Sequence, residues 1–240
     1  MPHSIVKKRV AIVQSNYIPW KGYFDLINSV DEFVLYDDAQ YTRRDWRNRN
    51  KIKTPQGPAW LTIPVVVKGK YFQRIRETSI QDPAWAKDHW RTIVHFYSRA
   101  PYFETYRDAL EDLYLNCTDR SLSQVNHRFL TAICGHLGIG TKISWSMDYS
   151  LPDDGKTARL VSLCKQAGAS AYISGPAARD YMEPEQFDQA GIELEYFEYT
   201  GYPEYHQLYP PFAHDVTVLD LLFNEGPRAR EFMKTFQPCL

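Results

Sequence analysis

Residues 14 to 23 read QSNYIPWKGY, a connection carrying two tyrosines, a tryptophan and a lysine where ordinary turns use small residues. Gln14 and Asn16 can hydrogen-bond a ligand, Tyr17 and Trp20 can wall it in, and a helix starting near Lys21 can receive an anion. The same side chains would also serve as a lid over a sheet edge, with Pro19 starting the helix. A second cluster follows at Asp37 and Asp38, with Gln40 just beyond. A carboxylate at a strand end can act as a general base, bind a metal or hold a substrate amine.

The segment TRRDWRNRN places Arg43, Arg44, Arg47 and Arg49 around Trp46. Guanidinium forks suit phosphate and carboxylate groups, although a solvated basic loop accounts for the same run. Later, SGPAARDYM sets Ser174 and Gly175 at a turn with Arg179 beyond it, which reads either as a weak anion motif or as a tight turn. In GYPEYHQLYPPF the side chains of Tyr202, Tyr205, His206 and Gln207 can converge. Cys164, on the apolar face of a helix, reads as a buried thiol rather than a nucleophile.

The elements that must position these groups follow from the hydrophobic pattern. Apolar runs near 10–14, 33–37, 142–146, 170–174 and 192–197 predict buried parallel strands, alternating with helices in βαβ fashion. AWLTIPVVV, residues 59 to 67, predicts a further strand despite Pro64. Residues 83 to 138 carry three apolar stripes at helical period, the first entered through Asp82 and Pro83. The expectation is an α/β protein of one domain over residues 1–240: a mostly parallel, Rossmann-like open sheet with a helical insertion at about 83–138. In such sheets ligands bind beyond the carboxyl ends of the strands, where QSNYIPWKGY and Asp37 belong.

Composition bounds the partners. Of the 240 residues 44% are apolar, enough for a core, and the net charge of -1 gives no reason to expect nucleic acid. The absence of an apolar run near 20 residues argues against a membrane span, and the absence of a leader argues for a cytoplasmic location. Cys117, Cys134, Cys164 and Cys239 are too scattered for a zinc site or disulfide framework. They read as reduced thiols, and no metal or other cofactor is expected. The 17 tyrosines and 6 tryptophans exceed what a core uses easily, since each hydroxyl and indole N–H needs a partner.

In order along the chain, QSNYIPWKGYFDLI, VLYDDAQYTRRDWRNRNKIKTPQG, WLTIPV, APYF, SLCKQAGASAYISG and VLDLLFNEG resemble the WbqC-like protein family, over nearly the whole length. Gln14, Tyr17, Pro19, Trp20, Gly22, Tyr23, Asp37, Gln40, Trp46, Arg49, Ser174, Gly175, Gln207, Asp220 and Asn224 stand at positions matching its motifs, and Ser15 departs from the proline common there. The resemblance implies a transferase of O-antigen and other surface polysaccharide biosynthesis. It would form an amide by aminoacyl, glycyl or acyl transfer to an amino sugar or sugar nucleotide, with a small-molecule or carrier-protein acyl donor. Asp37, Gln14 and Gln40 are then the candidate catalytic residues, Asp37 as base. Asn16, Tyr17, Trp20, Lys21, Arg44, Trp46, Arg49, Ser174, Gly175, Tyr202, His206 and Gln207 are the candidate substrate contacts. The opening is also similar to pantothenate-synthetase-type adenylate-forming ligases. Trp20 and Tyr23 stand where those enzymes carry a histidine pair, so no ATP use is expected. A non-catalytic binding module using the same aromatic cleft is the alternative from another class.

Overall fold

The computed structural model describes residues 7–152 and 155–236. Cys239 and the first six residues of the N-terminal stretch lie outside the described residues. In chain order the elements are β1 (Arg9–Val13), α1 (Lys21–Asn28), β2 (Glu32–Leu35), β3 (Arg49–Thr54), β4 (Gly57–Thr62), α2 (Trp85–Tyr97), α3 (Phe103–Leu115) and α4 (Leu122–Leu137). There follow β5 (Lys142–Trp145), α5 (Lys156–Gln166), β6 (Ala171–Ser174), α6 (Pro184–Gln189), β7 (Glu193–Tyr196) and α7 (Val218–Glu225).

Five strands form one parallel sheet in the order β5-β2-β1-β6-β7. Val10 sits opposite Glu32 on one side and Tyr172 on the other, so β1 occupies the centre and both of its faces must be covered. The alternation of the strands does this. Val10, Ile12, Val34 and Tyr172 turn to one face, against Leu160, Leu163 and Cys164 of α5 and Phe187 of α6. Ala11, Phe33, Leu35 and Ile173 turn to the other, against α1, α7 and the helices α2 to α4. Each fully buried Leu, Ile or Phe on these faces contributes about 1.5–3 kcal/mol relative to exposure.

The three helical stripes of residues 83–138 form α2, α3 and α4, and Asp82 accepts from the backbone N–H of Ala84 at the start of the first. Gly138, at φ 64°, closes α4 in the left-handed conformation that a Cβ would oppose. The segment 59–67 behaves differently from its expectation. Only Gly57–Thr62 is extended, and it pairs antiparallel with Arg49–Thr54 in a separate hairpin. Part of the arginine-rich segment is therefore a strand. Its polarity hid it, because Asn50, Lys53 and Thr54 are buried with their polar ends satisfied: the Lys53 ammonium donates to the Pro211 carbonyl and the Thr54 hydroxyl to Gly57 O.

Candidate functional site: an aromatic pocket beyond the strand ends

The loop after β1 is held in an unusual backbone shape. Ile18, β-branched, sits at φ 35°, a region such residues avoid at a cost of order 1–3 kcal/mol. Surrounding bonds impose it: Tyr17 N–H donates to Trp46 O at 3.2 Å, Asn50 Nδ2 to Tyr17 O at 3.1 Å, and Val218 N–H to Pro19 O at 2.9 Å. The loop is thus tied to the arginine segment, to β3 and to the start of α7. Trp20 follows as the residue before α1, and its indole folds back over Gly22. A Cβ at Gly22 would lie 2.3 Å from Trp20 Cζ2, so the glycine of P-W-K-G-Y exists to let the ring lie down.

Trp20 meets Tyr199 at a centroid distance of 5.7 Å and Tyr202 edge-on at 5.3 Å, geometries in which the ring quadrupoles attract. With Trp46, these rings wall a cavity of about 500 Å³, closed further by Pro19, Asn16, Asn50, Thr200, Gly201, His214 and Asp215. Asn16 Oδ1 accepts from Arg47, and its amide N–H groups have no acceptor among the described residues. Asp215 pairs with the ammonium of Lys51, and that ammonium also lies over the rings of Trp46 and Trp60. Behind the pocket the Tyr202 hydroxyl donates to the buried Asp25 carboxylate at 2.7 Å. Burial and that carboxylate hold the phenol far above its ordinary pKa, so Tyr202 is a fixed neutral wall.

Of the residues singled out in the sequence, Asn16, Pro19, Trp20, Trp46 and Tyr202 line this one cavity. Lys21 stands just outside it. Its ammonium donates to Pro203 O at 2.7 Å between the rings of Tyr202 and Tyr205, and burial lowers its pKa to about 8 against the pull of Asp25. It is committed to the protein and does not present a free cation at the helix start.

Asp37 is fully buried. It accepts from Ser15 N–H and the Ser15 hydroxyl, each at 2.9 Å, and from the Ser123 hydroxyl. Burial raises its pKa while these donors oppose the shift. Asn126 donates to the Ser15 hydroxyl and to Arg47 O, both at 2.9 Å, extending the same network. Asp37 therefore anchors the loop from behind and does not line the cavity. Asp38 instead turns to Arg74 and Arg76.

The other candidates disperse. Tyr17 is wholly buried, its hydroxyl between His89 at 3.0 Å and Tyr114 at 2.8 Å. Gln14 contributes its carbonyl to Tyr23 and Arg47. Gln40 is exposed and donates to Tyr71 O. Ser174 is buried, accepting from the Tyr172 hydroxyl, and Gly175 begins a short 3₁₀ turn at Pro176–Asp180. His206 is exposed. Gln207, with Tyr205 and Tyr97, surrounds the buried carboxylate of Asp220, which accounts for the match of Gln207 and Asp220 to one motif set. Arg44 and Arg49 line a separate depression.

Tyr199, Asn50, His214 and Asp215 join the cavity without having been singled out. The signal for Tyr199 was present, since YTGY repeats the aromatic–glycine pairing of the first loop after the last strand. Nothing in the sequence joins His214 and Asp215 to residues two hundred positions earlier. Among the described residues no group of three or more His, Cys, Asp or Glu is placed to hold a metal ion, and no helix is long and apolar enough to cross a membrane. Cys117, Cys134 and Cys164 are free thiols, with burial raising the last two to about 12.

The profile of the WbqC-like protein family matches residues 14–232. The chain is similar to a protein of Mycobacterium tuberculosis (strain ATCC 25618 / H37Rv) named "Uncharacterized protein Rv1507c", 53% identical over 227 residues that cover 95% of this chain and 98% of the relative. No solved structure matches the sequence. The chain belongs to the WbqC-like protein family.

Proposed function

We propose that the aromatic pocket binds an amino sugar, free or as a sugar nucleotide, and that the protein transfers an aminoacyl or acyl group to its amine in surface polysaccharide biosynthesis. One observation carries this reading. Trp20, Trp46, Tyr199 and Tyr202 surround a cavity of about 500 Å³ whose other polar side chains are the Asn16 and Asn50 amides, the Thr200 hydroxyl, the His214 imidazole and the Asp215 carboxylate. Apolar ring faces suit the C–H faces of a pyranose, and a few placed amide and carboxylate groups suit its hydroxyls and amine.

Forming the amide makes a bond from the amine nitrogen to the acyl carbon and breaks the bond from that carbon to the donor's leaving group, which departs with the proton the amine gives up. Asp37 serves this reading as the group that fixes the loop, because its oxygens are taken by Ser15 and Ser123. The titratable groups on the cavity wall are His214 and Asp215. Asp215 would hold the amine, and the His214 imidazole would accept the proton. The committed Lys21 supports a donor activated elsewhere: the loop offers no free ammonium to neutralise charge on ATP phosphates during adenylate formation.

The test is mass spectrometry of reactions holding nucleotide-activated amino sugars and several donors, in wild type and His214→Ala. An amide product lost in the variant is expected. ATP-dependent pyrophosphate release would overturn the transferase in favour of a ligase. Sugar binding without any product would favour a binding module, a reading supported by the pairing of Asp215 with Lys51.

A further inference from the structure

On the other side of the 42–47 loop lies a second depression, of about 280 Å³. Arg43, Arg44 and Arg49 line it together with Tyr41, Asn48 and Gln81, and no aspartate or glutamate does. Among the described residues no carboxylate forms an ion pair with Arg43, Arg44 or Arg49. Arg43 and Arg44 are exposed, and among the described residues neither guanidinium makes an ion pair or a hydrogen bond. Elsewhere arginines do find carboxylates: Arg47 with Asp45, Arg74 and Arg76 with Asp38, Arg9 with Glu195. Asp45, the acid closest in sequence, is turned away, accepting from Thr42 and from Trp46 N–H beside Arg47.

The backbone and the stacking hold this arrangement. Arg44 sits at φ 60°, outside the usual region for a side chain, and its carbonyl accepts from Arg49. The Arg49 guanidinium lies 4.0 Å from the centroid of Trp60, while its buried Nε–H has no acceptor among the described residues. Burial raises the pKa of the Tyr41 hydroxyl, Arg43 and Arg49 oppose that rise, and Asp45 adds to it more weakly than either arginine opposes it. Gathering three like charges on one concave wall costs Coulomb energy that a bound anion would return. Trp60 links the two concavities, since it stacks on Arg49 and meets Trp46 of the aromatic pocket at 5.2 Å.

We infer that this depression binds a phosphate or pyrophosphate group, held by the Arg43, Arg44 and Arg49 forks, and that it takes the diphosphate of a sugar nucleotide whose sugar enters the aromatic pocket. The second half of that statement rests on the proposed sugar reading; the first does not. Guanidinium groups bond two phosphate oxygens at once, and the depression is too small for a whole nucleotide sugar but open enough for its charged link.

Calorimetry with four probes separates the parts: inorganic pyrophosphate, citrate, UDP-glucosamine and the methyl glycoside of glucosamine. Pyrophosphate should bind the wild type, more weakly as salt rises, and lose at least tenfold in affinity in the double variant Arg43→Gln, Arg44→Gln, both residues being exposed. The nucleotide sugar should lose a similar factor, and the glycoside should be unaffected. Pyrophosphate binding that is absent, or equal in the double variant, overturns the anion site. Citrate binding as tight as pyrophosphate overturns its assignment to phosphate. If pyrophosphate responds as expected but the glycoside does not bind, the anion site stands and the sugar reading falls. If only the glycoside binds, the reverse holds.

Discussion

The loops that leave β1 and β2 occupy equivalent places at the carboxyl edge of the same sheet, yet they meet opposite fates. After β1, Asn16 and Trp20 open onto a cavity, and the Asn16 amide keeps a donor unspent. After β2, Asp37 is closed in by three donors and reaches no cavity among those described. Position in a parallel sheet brings a polar group to the edge where ligands bind. Whether it serves a ligand depends on how many partners the protein has already supplied. Asp37 is saturated and positions; Asn16 is unsaturated and can bind.

The largest expected effect breaks the closed side. Asp37→Ala leaves Ser15 N–H and two hydroxyls buried without an acceptor, and folding stability measured by urea denaturation should fall by about 3 kcal/mol. A neutral result would mean that Asp37 does not tie the loop. On the open side, Trp20→Ala removes the ring that meets both Tyr199 and Tyr202. Affinity for the bound sugar should drop about 30-fold, or about 2 kcal/mol, as for an aromatic at the centre of a contact.

Gly22→Ala is subtler. Its Cβ cannot coexist with the indole 2.3 Å away, so Trp20 must leave its place while α1, which favours alanine, persists. About tenfold weaker binding with an unchanged circular dichroism spectrum is expected; unaltered affinity would show that the orientation of Trp20 is immaterial.

Much of this contrast could be read from the chain. The alternation of Val10, Ala11 and Ile12 announces a strand covered on both faces, and the excess of aromatic residues in the first loop announces a pocket. The commitment of Asp37 was not legible, because its donors come from residue 15 and from Ser123, 86 positions away in α4. Helical periodicity places Ser123 on a buried face without saying what it touches. The hairpin strand at Arg49–Thr54 was hidden for a related reason: the ammonium of its buried Lys53 and the amide N–H of its buried Asn50 donate to distant segments.

The acid limb of the stability curve concerns the other end of β2. Glu32 is buried there and bonded to Lys8, Lys142, Ser144 and Tyr149, which hold its pKa at about 2. Its stabilisation is complete above the ordinary carboxylate value of about 4.3 and is lost as pH falls toward 2. Asp37, held above its ordinary value, acts in the opposite sense, favouring the folded state in its protonated form. In Glu32→Gln the loss of stability between pH 4 and 2 should flatten; a wild-type slope there would assign the acid limb to other groups.

The most direct measurement is a titration of tryptophan fluorescence with a nucleotide-activated amino sugar in wild type, Trp46→Ala and Ser123→Ala. Trp46 is a partly exposed wall of the pocket, and Ser123 is a member of the Asp37 network. Saturable binding in the wild type, weakened about tenfold in Trp46→Ala and kept in folded Ser123→Ala, is the expected result. Full affinity in Trp46→Ala with binding lost in a folded Ser123→Ala protein would place the ligand at Asp37 and contradict the division of roles between the two loops.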